Sequence, residues 1–103
     1  MPYPRLAYCN TNNGWKNYMY MCYTGYIWNH SDEPQTWTFA CSFDDRAKLF
    51  INGTKILETD AWEHPFFAQA TLNPGPNTFM YLGINWTGGG GGTAGQAVNG
   101  VAP

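Results

Sequence analysis

Two adjacent carboxylates, Asp44 and Asp45, close one apolar run and open the next in Phe43-Asp44-Asp45-Arg46-Ala47-Lys48-Leu49-Phe50-Ile51-Asn52-Gly53. Neighbouring carboxylates repel unless a cation or a turn accommodates them. Calcium takes about six to eight oxygen ligands at ~2.3–2.6 Å, and two aspartates, backbone carbonyls and an asparagine amide supply such oxygens with little reach. The competing reading is an aspartate-rich turn whose charge Arg46 balances, and spacing alone leaves both open. Catalytic pairings are harder to build. His30 stands beside Ser31 and His64 beside Glu63, but adjacent side chains in a strand point to opposite faces, so neither pair makes a nucleophile and its base. Asp32-Glu33-Pro34 and the carboxylates from Glu58 to Glu63 read as solvated turns with no apolar pocket to raise a pKa. No catalytic residue is assigned, and the chain reads as a non-enzyme.

The elements that must position Asp44 and Asp45 are strands. No long run places apolar residues at helical spacing, whereas several short runs alternate β-branched or aromatic residues with polar ones. In Thr36-Trp37-Thr38-Phe39-Ala40-Cys41-Ser42-Phe43, the residues Trp37, Phe39, Cys41 and Phe43 share one face, which puts that face in a core. Lys48 to Ile51 and Thr54 to Leu57 flank Asn52-Gly53, and both turn residues tolerate the positive φ of a two-residue hairpin. Phe66 to Leu72 and Asn77 to Asn85 are joined by Asn73-Pro74-Gly75-Pro76, where proline fixes φ and glycine supplies a positive one. Trp15 to Trp28 is a long aromatic stretch that Thr24-Gly25 is expected to break into two strands or one bulged strand. The expected fold is all-β, an antiparallel β-sandwich or jelly roll. Composition divides the chain into an extended N-terminal arm at 1–14, a sandwich at 15–87 and a glycine-rich tail or linker at 88–103.

The stretch FDDRAKLFINGTKIL resembles the signature of protective-antigen-type and flocculin-like β-sandwich domains. In those domains a strand ends in Asp-Asp and a second strand runs into an Asp-Gly hairpin. LNPGPNTFMYLGIN is similar to that family's next landmark, a Pro-Gly turn leading into a strand that ends in asparagine. YTGYIWN and WTFACSF resemble the strands before the signature, and GGGGGTAG resembles glycine-rich tails of modules in large bacterial surface proteins. The likeness covers about residues 23 to 95. It implies a calcium ion held by Asp44 and Asp45 across a cis peptide, with Asn85 as a further ligand and carbonyls near Thr87 and Gly89 completing the shell. Two departures stand out: Asn52 replaces the usual aspartate of the hairpin, and glycines occupy the loop where lectin members place sugar-selecting side chains.

Composition narrows the partners. Aromatic residues make up 17% of the 103 residues and charged ones 12%, the reverse of an ordinary soluble domain, so aromatic surface is expected to face a partner. With a formal charge of −2 and five basic residues, the footprint that phosphate-backbone binding needs is missing, and nucleic acid is not an expected ligand. No stretch approaches the ~18 apolar residues of a membrane span, and MPYPRLAYCN lacks the pattern of a signal peptide, so the chain reads as a mature protein or excised module. Cys9, Cys22 and Cys41 lack metal-site spacing and allow one disulfide with one thiol, or none. Low charge and the sequons at Asn29, Asn52 and Asn85 point toward an extracellular or cell-surface protein, with Asn29 and Asn52 as candidate N-glycosylation sites.

Two function classes follow. In the first, the chain is a structural or adhesive subunit of a surface fibre, using calcium for rigidity and forming a homo-polymer by strand addition or head-to-tail contacts. Tyr3, Leu6 and Tyr8 then belong to an assembly arm that the prolines keep extended. In the second, the chain is a calcium-dependent carbohydrate-binding module. Trp86, beside Asn85 at the mouth of the metal site, and Trp62 are the candidate glycan or partner contacts.

Overall fold

The computed structural model describes residues 5–10, 19–44, 46–59, 65–85 and 91–97, with the side chains of 5–10, 19–20, 43–44, 85 and 91–93 outside that description. It contains strands β1 Arg5–Asn10, β2 Met19–Asn29, β3 Gln35–Asp44, β4 Arg46–Ile51, β5 Thr54–Thr59, β6 Phe66–Leu72, β7 Gly75–Asn85 and β8 Gly91–Gln96. These form two four-stranded sheets, in the orders β1-β8-β3-β6 and β2-β7-β4-β5. Every strand pair is antiparallel, and the sheets pack face to face as a β-sandwich, the fold class that alternation predicts. Among the described residues no helix is long and apolar enough to cross a membrane.

The core comes from alternate residues of both sheets. Phe39, Cys41, Leu72 and Ala94 meet Met21, Ile27, Leu49, Ile51, Leu57, Phe79 and Tyr81. Trp37 shares the inward face of β3 but is half-buried, packing on the core beside Phe39 at a ring separation of 6.0 Å. The expected turns are present. Asn52 and Gly53 take φ of 50° and 81° in the β4–β5 hairpin, and Gly75 takes 88° where the Pro-Gly turn enters β7.

Three stretches differ from expectation. β2 runs unbroken through Thr24-Gly25, pairing residue for residue with β7 from Met19↔Asn85 to Asn29↔Gly75. Gly25 lies opposite Phe79, and a Cβ there would stand 2.9 Å from the Phe79 ring. The glycine makes room for a core aromatic and does not bend the strand. Residues within the predicted arm form β1, an outer strand paired with β8 of the same chain, and residues within the predicted tail form β8, which lies between β1 and β3. The sequence Gly-Gly-Thr-Ala-Gly-Gln shows no apolar alternation. Its strand conformation comes from neighbours on both sides that take its backbone hydrogen bonds.

Candidate functional site

Strand register brings the backbone of Asp44 and Asn85, two of the expected metal ligands, to one end of the sandwich. β3 ends at Asp44 in one sheet and β4 begins at Arg46 in the other, so the chain passes between the sheets from Asp44 to Arg46. Arg46 pairs with Ile84, which puts Asn85 one position farther toward that crossover. Asp44 pairs with Gly91, the first residue of β8. Backbone register thus brings the ends of β3 and β7 and the starts of β4 and β8 to one end of the fold. Two hydrogen bonds tie this region together: the Tyr81 hydroxyl donates to the Ser42 carbonyl across the sheets at 2.8 Å, and the Ala47 amide donates to the buried Thr59 Oγ1 at 2.9 Å.

The donor set is suited to a hard cation. Carboxylates, an amide oxygen and carbonyls of strand ends are the oxygen ligands that calcium takes. The side chains of Asp44 and Asn85 and the whole of Asp45 lie outside the described residues, and so does the peptide bond that the resemblance makes cis. Thr87 and Gly89 lie outside as well. Among the described residues no three His, Cys, Asp or Glu side chains gather into a metal-holding group. No family model, curated protein or solved structure matches the chain. The site therefore rests on donor chemistry, the sequence resemblance and strand register.

Other predicted residues fall elsewhere. Trp62, Trp86 and Tyr3 lie outside the described residues, while Leu6 and Tyr8 lie on β1. Asn29 is 2% exposed, and its Nδ2 donates to the Glu33 carbonyl at 2.9 Å and the Leu72 carbonyl at 3.2 Å. The nitrogen to which a glycan would be joined is thus committed inside the folded domain. Asn52 is exposed at the hairpin, but its Nδ2 donates to Asn77 Oδ1 at 2.9 Å and its Oδ1 accepts the Thr78 amide at 2.9 Å.

Asn77 escaped the sequence reading. It is 1% exposed; its Oδ1 accepts from Asn52 Nδ2 and the Asn73 amide, and its Nδ2 faces the carbonyls of Ile27, Asn73 and Gly75 at 2.9–3.3 Å. One side chain thereby joins the β4–β5 hairpin, the Pro-Gly turn and β2. Its position two residues after Gly75 is the usable clue, because a side-chain amide there can reach back to the turn's backbone.

The thiols also separate. Cys22 is exposed and Cys41 is buried, both unbridged, and burial pushes the Cys41 thiol up to about 12. Cys41 is an inert core residue, with Cys22 the accessible sulfur of the two.

Proposed function

We propose that this chain is a non-catalytic extracellular module that self-associates as a structural or adhesive subunit of a surface fibre, with calcium at Asp44, Asp45 and Asn85. The supporting observation is strand β2. It is an outer strand of its sheet among the described residues, and its eleven residues, Met-Tyr-Met-Cys-Tyr-Thr-Gly-Tyr-Ile-Trp-Asn, include no charge and no proline. Monomeric proteins guard outer strands with charges, prolines, bulges or short length. The other outer strands show more of these devices. β5 carries Lys55 and Glu58, paired at 2.6 Å, and a register irregularity against β4; β1 has one against β8; β6 is uncharged but has only seven residues.

Strand β1 offers a second route. An outer strand that pairs with β8 of its own chain can make the same hydrogen bonds to β8 of another copy, and such exchange grows a filament when the contact does not close. Calcium at the crossover would stiffen each subunit by fixing one sheet to the other. The test is electron microscopy of the purified chain at micromolar concentration with calcium, compared with a variant lacking residues 1 to 8. Filaments from the intact chain are expected; their loss on deletion while the domain stays folded assigns the contact to β1, and their survival assigns it to β2. A monomer at all concentrations overturns the fibre, and filaments that survive the deletion remove β1 as the connector.

A further inference from the structure

Tyr26 is 73% exposed and Trp28 54% exposed, unusual for large aromatic side chains in a domain of this size. They occupy alternate positions of β2 and therefore share its outward face, about 6.8 Å apart along the strand. His30, also exposed, extends the row, its ring centroid 6.1 Å from that of Trp28 and tilted by 39°. Across the sheet, Thr78 faces Tyr26 and Pro76 faces Trp28. Next to Tyr26 a solvent-open cavity of about 510 Å³ is bordered by Thr24, Phe50, Thr78 and Met80, and among the described residues no ionisable group other than the Tyr26 phenol lines it.

We propose that Tyr26, Trp28 and His30, with this cavity, form a binding site for a neutral, linear oligosaccharide of flat, ribbon-like shape. The site goes beyond the structural role proposed above and requires neither calcium nor assembly. Three features select the ligand. A sugar ring has an apolar C–H face and a polar rim, which matches an aromatic face bordered by hydroxyls better than it matches a wholly apolar patch. A row of rings along one strand is straight, so it suits an extended β-1,4-linked chain whose successive sugars can each lie near one ring, and it does not suit a helical α-1,4-linked one. Among the described residues the row and the cavity carry no Asp, Glu, Lys or Arg side chain, which complements a neutral ligand. Thr24 and Thr78 supply hydroxyls at the cavity end to fix the orientation of the terminal sugar.

The test is a titration of the intact chain with cellohexaose, chitohexaose and maltohexaose, followed by NMR at the Trp28 indole and by calorimetry, in calcium and in chelator. Trp28→Ala and Tyr26→Ala remove exposed rings, and melting curves verify that both variants fold. Saturable shifts of the Trp28 indole with cellohexaose or chitohexaose are expected, weaker with maltohexaose, unchanged by chelator, and reduced at least tenfold in affinity by Trp28→Ala. Four results overturn the proposal: no shift with any of the three sugars; equal binding by Trp28→Ala; binding that chelator abolishes, which would move the sugar to the carboxylate end; or a change of oligomeric state on Trp28→Ala with no sugar bound, which would make the row a protein interface. Filament formation is scored separately, so either proposal can fail alone.

Discussion

At the end of the sandwich where β2 finishes and β7 begins, the chain is held by buried amides. Asn29 and Asn77 together bind carbonyls or amides from Ile27, Ser31, Glu33, Leu72, Asn73 and Gly75, and Asn52 joins them from the β4–β5 hairpin. At the other end of β7, roughly 27 Å away at ~3.4 Å per residue, strand register brings the end of β3 at Asp44 and the start of β4 at Arg46 to the strand terminus Asn85. A neutral amide both donates and accepts, so it can satisfy surrounding backbone without help, whereas a carboxylate only accepts. On the proposed reading, a cation held by the paired carboxylates would do for that end what asparagine does for the first. Closure by amides is intrinsic to the chain, whereas closure by carboxylates, as proposed, would be conditional on metal.

The largest expected effect follows from removing the intrinsic closure. Asn77→Ala leaves the buried Ile27 carbonyl and the partly buried backbone groups of Asn73 and Gly75 without their partner, and buried groups of this kind cost about 1–3 kcal/mol each, less where water reaches them. A loss of about 3 kcal/mol is expected, with a fall in Tm of more than roughly 10 °C for a domain of this size. It should be the same in calcium and in chelator. A fall of only a few degrees in thermal denaturation would mean that the amide network does not hold this end.

Next comes the conditional closure. Metal that binds only the folded state adds RT ln(1 + [L]/Kd), about 2.7 kcal/mol at a hundredfold excess over Kd. Calcium should raise the Tm of the wild-type chain and of Asn77→Ala by similar amounts, because the sites are too far apart to couple strongly. Asp44→Asn combined with Asp45→Asn should abolish the increase. A Tm indifferent to calcium in the wild-type chain would remove the metal and the contrast between the ends.

How much of this was legible depended on whether a residue's environment was local. The Asn52-Gly53 hairpin and the inward face of β3 were readable because turn chemistry and alternation are written in neighbouring residues. β8 was not, since Gly91 to Gln96 owes its place to β1 and β3 on either side, and those pairings are remote in sequence. Asn29 was read as a sequon because a buried asparagine and an exposed one look alike in sequence; only the carbonyls of Glu33 and Leu72 distinguish them. The carboxylate pair was visible as a pair. The pairing Arg46↔Ile84, which brings the start of β4 to the end of β7, is a matter of register, and the chain gives no local cue to it.

The smallest effect concerns Cys41, which lies three residues before Asp44 on the inward face of β3 and reports on the conditional end. Its thiol is held in the protonated form by burial, up to about 12 from an ordinary 9.0. A folded pKa raised above the unfolded one means that the folded state keeps its proton longer. The contribution is therefore intact below pH 9 and is lost as pH rises from 9 toward 12, by about 1 kcal/mol at pH 10. Cys41→Ala should flatten that part of the stability-against-pH curve relative to the wild-type chain. The same thiol also measures opening. A thiol reagent should modify exposed Cys22 rapidly and Cys41 only when the core is exposed, so the Cys41 rate follows the population of open states. If metal closes this end, chelator should speed Cys41 labelling in the wild-type chain and leave the Asp44→Asn, Asp45→Asn variant unchanged. Equal rates in calcium and chelator for the wild-type chain would show that metal, even if bound, does not restrain the core beside the crossover. Asn77→Ala supplies the control: it should speed labelling equally under both conditions, because it lowers the stability of the whole domain and leaves the response of the carboxylate end intact.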